Sequence, residues 1–185
     1  EPRDTALFNS TGEEQRDILL SFLGSSFGRL DRALNLAYLW GQGIGYYKGG
    51  GVQEAMLQSN DYANLLRRSL VTMNFSSAIT FNHLTGRVAE AMLCGACLLE
   101  SENEEISSLF EPYRDYIPFR EHFSFDHGRM VIKPNGELSD KARTYAYAKP
   151  DEARKIAANG RKRALEKLDG REFWASVFEL VGVKV

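Results

Sequence analysis

The sequence predicts an α/β fold of the Rossmann-like class, in which a parallel sheet carries helices on both faces. Short apolar segments alternate with segments of helical periodicity at intervals of roughly 25 residues, the pattern of β-α-β units. The apolar segments are short and nearly continuous, as in strands that are buried on both faces. Right-handed crossovers between such strands produce a layered sandwich.

Five strands are predicted from the apolar segments. The first, "DILLSFLGSS", ends in a Gly-Ser-Ser turn, and the second, "IGYYKGGG", ends in three glycines. The predicted strands cover residues 17–26, 44–51, 70–76, 96–101 and 114–120. The loops that follow these strands become the places to look for a ligand site.

The segments between and after the strands predict helices. Their apolar residues recur at three- and four-residue intervals. The predicted helices cover residues 28–43, 60–69, 86–95, 103–110, 149–168 and 171–184. Thr85 can cap the third helix, and Gly95 suits its C-terminus. Pro150 suits the start of the fifth helix, whereas Gly160 can break or kink it.

Two regions depart from the alternating pattern. Residues 121–148 are predicted to form a small β-hairpin insertion, because apolar and polar residues alternate there and the segment contains a Pro-Asn-Gly turn. Residues 1–16 are polar and are predicted to be a lead-in to a single domain over 17–185. The sequence begins without methionine, so we expect a processed product or a domain of a longer protein.

Composition limits the classes of function. The net charge is −2, so there is no broad basic surface for a nucleic acid. No apolar run approaches the roughly 20 residues of a membrane span, and no signal peptide is recognised, so a cytoplasmic location is expected. The sequence contains no cluster of metal ligands. Cys94 and Cys97 have the C-x-x-C spacing of a redox pair, but free cysteines are also common core residues.

The loops after the strands hold the candidate site. In open parallel sheets, ligands bind beyond the carboxyl ends of the strands. A helix that begins near Gly86 offers free amide groups to an anion, and Arg87 adds a guanidinium suited to phosphate. Glu90, one turn further along, could accept hydrogen bonds from ribose hydroxyls. The alternative is that Glu90 only complements the helix dipole and that Arg87 is solvated.

The loop after the first strand, "GSSFGR", is a second part of this candidate site. It is neither a P-loop, since the Gly-Lys-Ser/Thr ending is absent, nor a dinucleotide fingerprint, since the glycine spacing differs. Arg29 could reach a phosphate or could simply solvate the following helix. His83, in the loop before Gly86, could contact a sugar.

The segment "RVAEAMLCGACLLESENEEISSLF" resembles the C-terminal half of GT-B glycosyltransferases, where a loop leads into a helix of the form E-A-M-x-x-G and then into a strand. The flanking elements agree over most of residues 15–180, apart from the insertion. The sequence is most similar to the spore-maturation-protein-like (CgeB-like) glycosyltransferases, in which an arginine precedes the glutamate by three residues.

This resemblance implies a nucleotide-sugar donor, of the UDP or GDP type, and no bound metal or cofactor. Glu90 would bind the ribose, and the backbone of residues 85–88, including Thr85 and Gly86, would face the diphosphate with Arg87. The loop with Ser25 and Arg29 would border the phosphate or the sugar. Family members often carry a glutamate eight positions before the ribose-binding one, near the transferred sugar. Here that position is Asn82, which the resemblance makes a candidate for contact with the donor sugar.

The resemblance also implies that an N-terminal acceptor domain is missing from this chain. A complete GT-B enzyme has two Rossmann-like domains with the active site between them. The chain is therefore expected to be the donor-binding domain of a longer glycosyltransferase with an unknown acceptor. The alternative is a noncatalytic interaction domain that retains half of the GT-B fold.

Overall fold

The computed structural model describes residues 5–27, 29–50, 57–76, 84–127, 129–134, 136–168, 178–180 and 182. A five-stranded parallel sheet forms the centre, in the order β2-β1-β3-β4-β5. Its strands are β1 (Ile18–Leu23), β2 (Tyr47–Gly49), β3 (Ser69–Asn74), β4 (Cys97–Ser101) and β5 (Ile117–Phe119). The predicted parallel sheet and its five strands are confirmed.

Helices cover both faces of the sheet, as predicted. They are α1 (Leu30–Gly41), α2 (Ser59–Arg68), α3 (Gly86–Leu93), α4 (Glu104–Leu109), α5 (Gly136–Ala142) and α6 (Pro150–Leu168). One apolar cluster joins the sheet to α1, α5 and the first half of α6, and a second joins it to α2, α3 and α4. The two clusters form because each strand sends side chains to both faces.

The strand order creates a switch point between β1 and β3. The chain leaves β1 for β2 on one side and then crosses to β3 on the other side of β1. The chain therefore leaves β1 and β3 towards opposite sides, and the crevice that such a switch point creates at the carboxyl edge of the sheet is the usual ligand position in these folds. The start of the loop after β1 and the first turn of α3, both parts of the predicted site, lie together at this edge.

The predicted hairpin insertion is confirmed only in its first part. Strands β6 (His122–Asp126) and β7 (Arg129–Lys133) pair in antiparallel fashion. The following residues are helical, as α5 and then a π-helical segment, Arg143–Ala148, so the prediction of a hairpin as far as 148 is wrong there. Leu138, Ala142 and Ala146 are buried at four-residue spacing, which favours a helix over a strand.

Gly160 does not break α6, which runs continuously from 150 to 168. It lies instead at a close contact, since a Cβ atom there would be 2.2 Å from the carbonyl oxygen of Asp115. The glycine is thus needed for helix packing rather than for a kink. Most of the predicted final helix, 171–184, lies outside the described residues. Of its residues that the structure describes, 178–180 are helical.

The polar lead-in packs on the domain through the apolar side chains of Leu7 and Phe8. Phe8 is buried in the cluster with α2 and α3, and its ring meets that of Tyr62 edge-on at 6.1 Å. In the part of the chain that the structure describes, no helix combines the length and apolarity of a membrane span.

Candidate functional site

The carboxyl edge of β1 and β3 brings together most of the predicted site residues. Ser25 and Arg29 belong to the loop after β1, whereas Thr85 directly precedes α3, which begins at Gly86. The first amide groups of a helix lack intrahelical acceptors and can bind an anion, although the Val88 amide here already donates to the Thr85 carbonyl at 3.0 Å. Asn82 and His83 lie outside the described residues, so their predicted sugar contacts stay predictions.

Arg87 extends from the first turn of α3 to the end of β1. Its guanidinium lies directly on Gly24: a Cβ atom at Gly24 would be 2.8 Å from Nη1 and 2.9 Å from Cζ of Arg87. Gly24 is fixed in turn, because its amide donates to the Gly49 carbonyl at 2.8 Å. The glycine thus admits a cation into the crevice at a place where any side chain would collide with it.

Arg32, which the sequence interpretation missed, spans the same crevice from below. It is 8% exposed and donates to the carbonyl oxygens of Ser25 at 3.0 Å and Phe75 at 2.9 Å, so it ties the loop after β1 to the loop after β3. Burial, together with the neighbouring cations Arg29 and Arg87, lowers its pKa to about 10. A signal was present, since Arg32 continues the buried Leu36–Leu39 stripe of α1.

Arg29 is less available than predicted. It forms a bidentate pair with Asp31, with Nε–Oδ1 at 3.0 Å and Nη2–Oδ2 at 2.6 Å. The hydrogen bonds from this pair outweigh burial and raise the pKa of Arg29. A phosphate at this position would share the guanidinium with a carboxylate, which weakens its attraction.

Glu90 lies one turn into α3 and is only partly buried. Tyr62, on α2, lies near its carboxylate. Burial, followed by the nearby Glu90, raises the pKa of Tyr62, so the phenol stays protonated. A carboxylate at this position can accept hydrogen bonds from hydroxyl groups.

Thr85 occupies the cap position of α3, but its hydroxyl does not cap the helix. The Thr85 Oγ1 atom instead lies 2.9 Å from the side-chain amide of Asn74 and 3.1 Å from the hydroxyl of Ser76. Asn74 in turn donates to the buried carboxylate of Glu100 at 2.6 Å. The prediction of a side-chain cap is wrong because these buried polar groups take the hydroxyl inward.

A family model described as glycosyl transferase-like matches residues 19–175, well over half of the chain. The chain belongs to the glycosyl transferase-like family. The match includes β1 to β5 and the α3 segment on which the sequence resemblance rests. No curated protein gives a significant match.

Solved structures show the same fold for this glycosyl transferase-like chain. It is similar to sucrose-phosphate synthase from Thermosynechococcus elongatus, with 14% identity and a TM-score of 0.66 over 97% of this chain and 50% of that one. Anabaena HepE in complex with UDP gives 12% identity and a TM-score of 0.65 over 98% and 56%. The C-terminal domain of a glycosyl transferase group 1 family protein (LpcC) from Francisella tularensis gives 12% and 0.61 over 91% and 99%.

These coverages describe the extent of the likeness. The glycosyl transferase-like chain spans about half the length of the synthase and of HepE, but nearly the whole of the isolated LpcC domain. It is therefore similar to one half of a GT-B fold.

The cysteine pair has the surroundings of core residues in this glycosyl transferase-like domain. Cys94 and Cys97 are free and fully buried, and burial raises the pKa of both thiols. Since the thiolate is the reactive form, these surroundings oppose redox chemistry. Within the described ranges, no group of three His, Cys, Asp or Glu side chains could hold a metal ion.

Proposed function

We propose that this chain is the donor-binding domain of a glycosyltransferase and binds a nucleoside diphosphate sugar of the UDP or GDP type. The observation that carries this proposal is the position of Arg87 on Gly24, at the switch point and at the start of α3. A diphosphate placed there would meet the helix amides and the guanidinium together.

The charges around the crevice support an anionic ligand. Burial, and then the neighbouring cations Arg29 and Arg87, lower the pKa of Arg32, so positive charge is gathered at this edge of the sheet. Proteins gather like charges at a cost, and a diphosphate between them would relieve it. Arg29 is a weaker contributor because Asp31 already pairs with it.

Glu90 is proposed to accept the hydrogen bonds of the ribose hydroxyls. Residues 87 and 90 are three positions apart, so the Cα atom of Glu90 lies about 4.5 Å further along the helix axis than that of Arg87. That order places phosphate near the helix start and the sugar hydroxyls one turn inside. Tyr62, which packs beside α3 and near the carboxylate, would help to hold it in place for both hydroxyls.

The likeness to longer proteins supports a role as one half of an enzyme. HepE structures have been solved with UDP and with UDP-glucose, and this chain covers 98% of its own length against the UDP complex. An acceptor-side domain, with the groups that contact the acceptor, is proposed to lie outside these residues. The Arg87–Glu90 spacing supports placement in the spore-maturation-protein-like group.

The test is calorimetric titration of the chain with UDP, GDP and their sugars. We expect binding to one nucleotide type, and at least a tenfold weaker affinity for Glu90→Ala. Glu152→Ala, which removes a surface glutamate that pairs with Lys149, is the matched control and should leave affinity unchanged. A folded chain that binds neither nucleotide would contradict the proposal and favour the interaction-domain alternative.

A further inference from the structure

Glu100 is an unusual residue for the middle of a parallel sheet. It lies in β4 with no solvent exposure, and a buried carboxylate is costly unless donors surround it. Three donors are present: the Ser76 amide at 2.9 Å, the Asn74 side-chain amide at 2.6 Å and the Ser101 hydroxyl at 3.2 Å. Burial raises the pKa of Glu100 despite these bonds. An apolar residue would fill this position without that cost.

The hydrogen bonds of Glu100 lead to the start of α3. Asn74, at the end of β3, donates to Glu100 and lies 2.9 Å from both Ser76 Oγ and Thr85 Oγ1. The two hydroxyls are 3.1 Å apart. Thr85 directly precedes Gly86, so the network joins the carboxyl end of β3 to the first residue of the helix that carries Arg87.

A second carboxylate holds the neighbouring backbone. The amide of Leu84 donates to the side chain of Glu105, which belongs to the first turn of α4. Residues 76 and 84 are therefore each bound through the backbone amide by a glutamate from β4 or α4. These residues are the described flanks of the 77–83 stretch, and one is held by β4 and the other by α4.

We propose that Glu100 is a positioning residue of the donor site, which holds the end of β3 and the start of α3 in the arrangement that a diphosphate requires. This inference rests on the proposed function for its ligand. Glu100 itself does not contact the donor. It acts through Asn74, Ser76 and Thr85, and its removal lets the α3 N-terminus and Arg87 shift.

The test is an exchange of the donor and acceptor roles between positions 100 and 74. In Glu100→Gln, one of the two acceptor oxygens becomes an NH2 donor, so a donor faces either the side-chain amide of Asn74 or the backbone amide of Ser76, and one bond of the network is lost. In the double variant Glu100→Gln with Asn74→Asp, the carboxylate sits at position 74 and accepts from the new amide and from both hydroxyls. We expect about a tenfold rise of the nucleotide Kd in the single variant and a return to within about threefold in the double.

Thr72→Val is the matched control, since Thr72 is a buried β3 residue whose hydroxyl accepts from Ser21 at 3.0 Å. It should lower the melting temperature but leave the Kd unchanged. An equal Kd for Glu100→Gln and the wild type, with only the melting temperature lowered, would show a structural role and overturn the proposal. A double variant that does not recover affinity would do the same.

Amide hydrogen exchange of residues 86–88 without ligand keeps the two proposals distinguishable. Faster exchange in Glu100→Gln, but not in Thr72→Val, supports the positioning role of Glu100, whether or not the wild type binds a nucleotide. A wild type that binds no nucleotide would overturn the proposed function but not this role. Equal exchange in both variants overturns positioning. If Glu100→Gln does not fold, Thr85→Val cuts the same network at its other end and should raise the exchange rate in the same way.

Discussion

Two half-buried arginines at opposite edges of the sheet, Arg16 and Arg87, show how one residue type serves two purposes. Arg16, at the amino edge, donates to the carbonyl oxygens of Arg67 at 2.9 Å, Ser69 at 2.7 Å and Cys94 at 3.2 Å. It lies against Gly95, where a Cβ atom would be 2.6 Å from Nη2. Its donors are used by backbone, so it fastens the lead-in to β3 and α3.

The carboxyl edge repeats the geometry with a different result. Arg87 lies on Gly24 as Arg16 lies on Gly95. Arg32 binds only two carbonyl groups there, and its buried Nε has no partner among the described residues. A guanidinium whose donors are all used by carbonyl groups stabilises the fold, whereas neighbouring cations with unused donors are suited to binding a ligand.

The largest expected effect is on stability, at the amino edge. Arg16→Met leaves three backbone carbonyl groups short of a partner, so we expect the free energy of unfolding to fall by about 3 kcal/mol. Nucleotide affinity should not change while the chain is folded. Urea denaturation and calorimetry measure the two quantities. Arg154 lines the same cavity as Arg16 but forms a surface ion pair with Asp151. Arg154→Met is therefore the control, and it should lower the free energy of unfolding by less than about 0.5 kcal/mol.

At the carboxyl edge, an arginine-to-methionine substitution should lower nucleotide affinity and leave stability unchanged. Arg87→Met removes a charge-assisted contact to the phosphate, so we expect nucleotide affinity to fall by about 10- to 100-fold. Stability should hold or rise slightly, because Arg32 loses a repulsive neighbour. A marked loss of stability with unchanged affinity would instead make Arg87 a structural residue like Arg16.

A smaller effect is expected from the glycine under Arg87. Gly24→Ala places a methyl group in the space of the guanidinium and should displace it, so affinity falls by about fivefold with little loss of folding. Gly41→Ala is the matched control, since a Cβ atom there meets nothing within 4 Å. Titration of both variants decides the question: equal affinities would mean that the position of Arg87 on Gly24 has no part in binding.

The sheet and most helices could be predicted because they depend on local apolar patterns. Residues 136–148 could not, since three small or apolar residues at helical spacing were hidden among alternating ones. The predicted Arg87 and Glu90 come to the switch point, as the order of strands and helices requires. Their detailed partners depend on the packing of α2 and β1.

The supporting residues of the site were out of reach for a different reason. Arg32 binds Phe75 across 43 positions, and Glu100 binds Asn74 across 26. Such contacts follow from strand register and loop closure, which no short pattern encodes. In the sequence, Arg32 is visible as a charged residue on the predicted buried face of α1, and Glu100 as an acidic residue inside an apolar strand.

The smallest expected effect is a difference between the two edges of the sheet in how stability depends on pH. Hydrogen bonds from Ser10 and from the amides of Thr11 and Gly12 outweigh burial and lower the pKa of Glu14 from 4.5 to about 2, whereas burial raises the pKa of Glu100. Glu14 therefore adds stability above its unfolded pKa, and this is lost as the pH falls from 4.5 towards 2. Glu100 favours the folded state most below its unfolded pKa, and that contribution is lost as the pH rises through its folded pKa.

The measurement is the melting temperature of the wild type minus that of each variant, as a function of pH. The difference from Glu14→Gln should decrease on acidification, and the difference from Glu100→Gln should decrease as the pH rises above 4.5. Parallel pH profiles for the two differences would show that both carboxylates have the same kind of environment, and the contrast between the edges would fail.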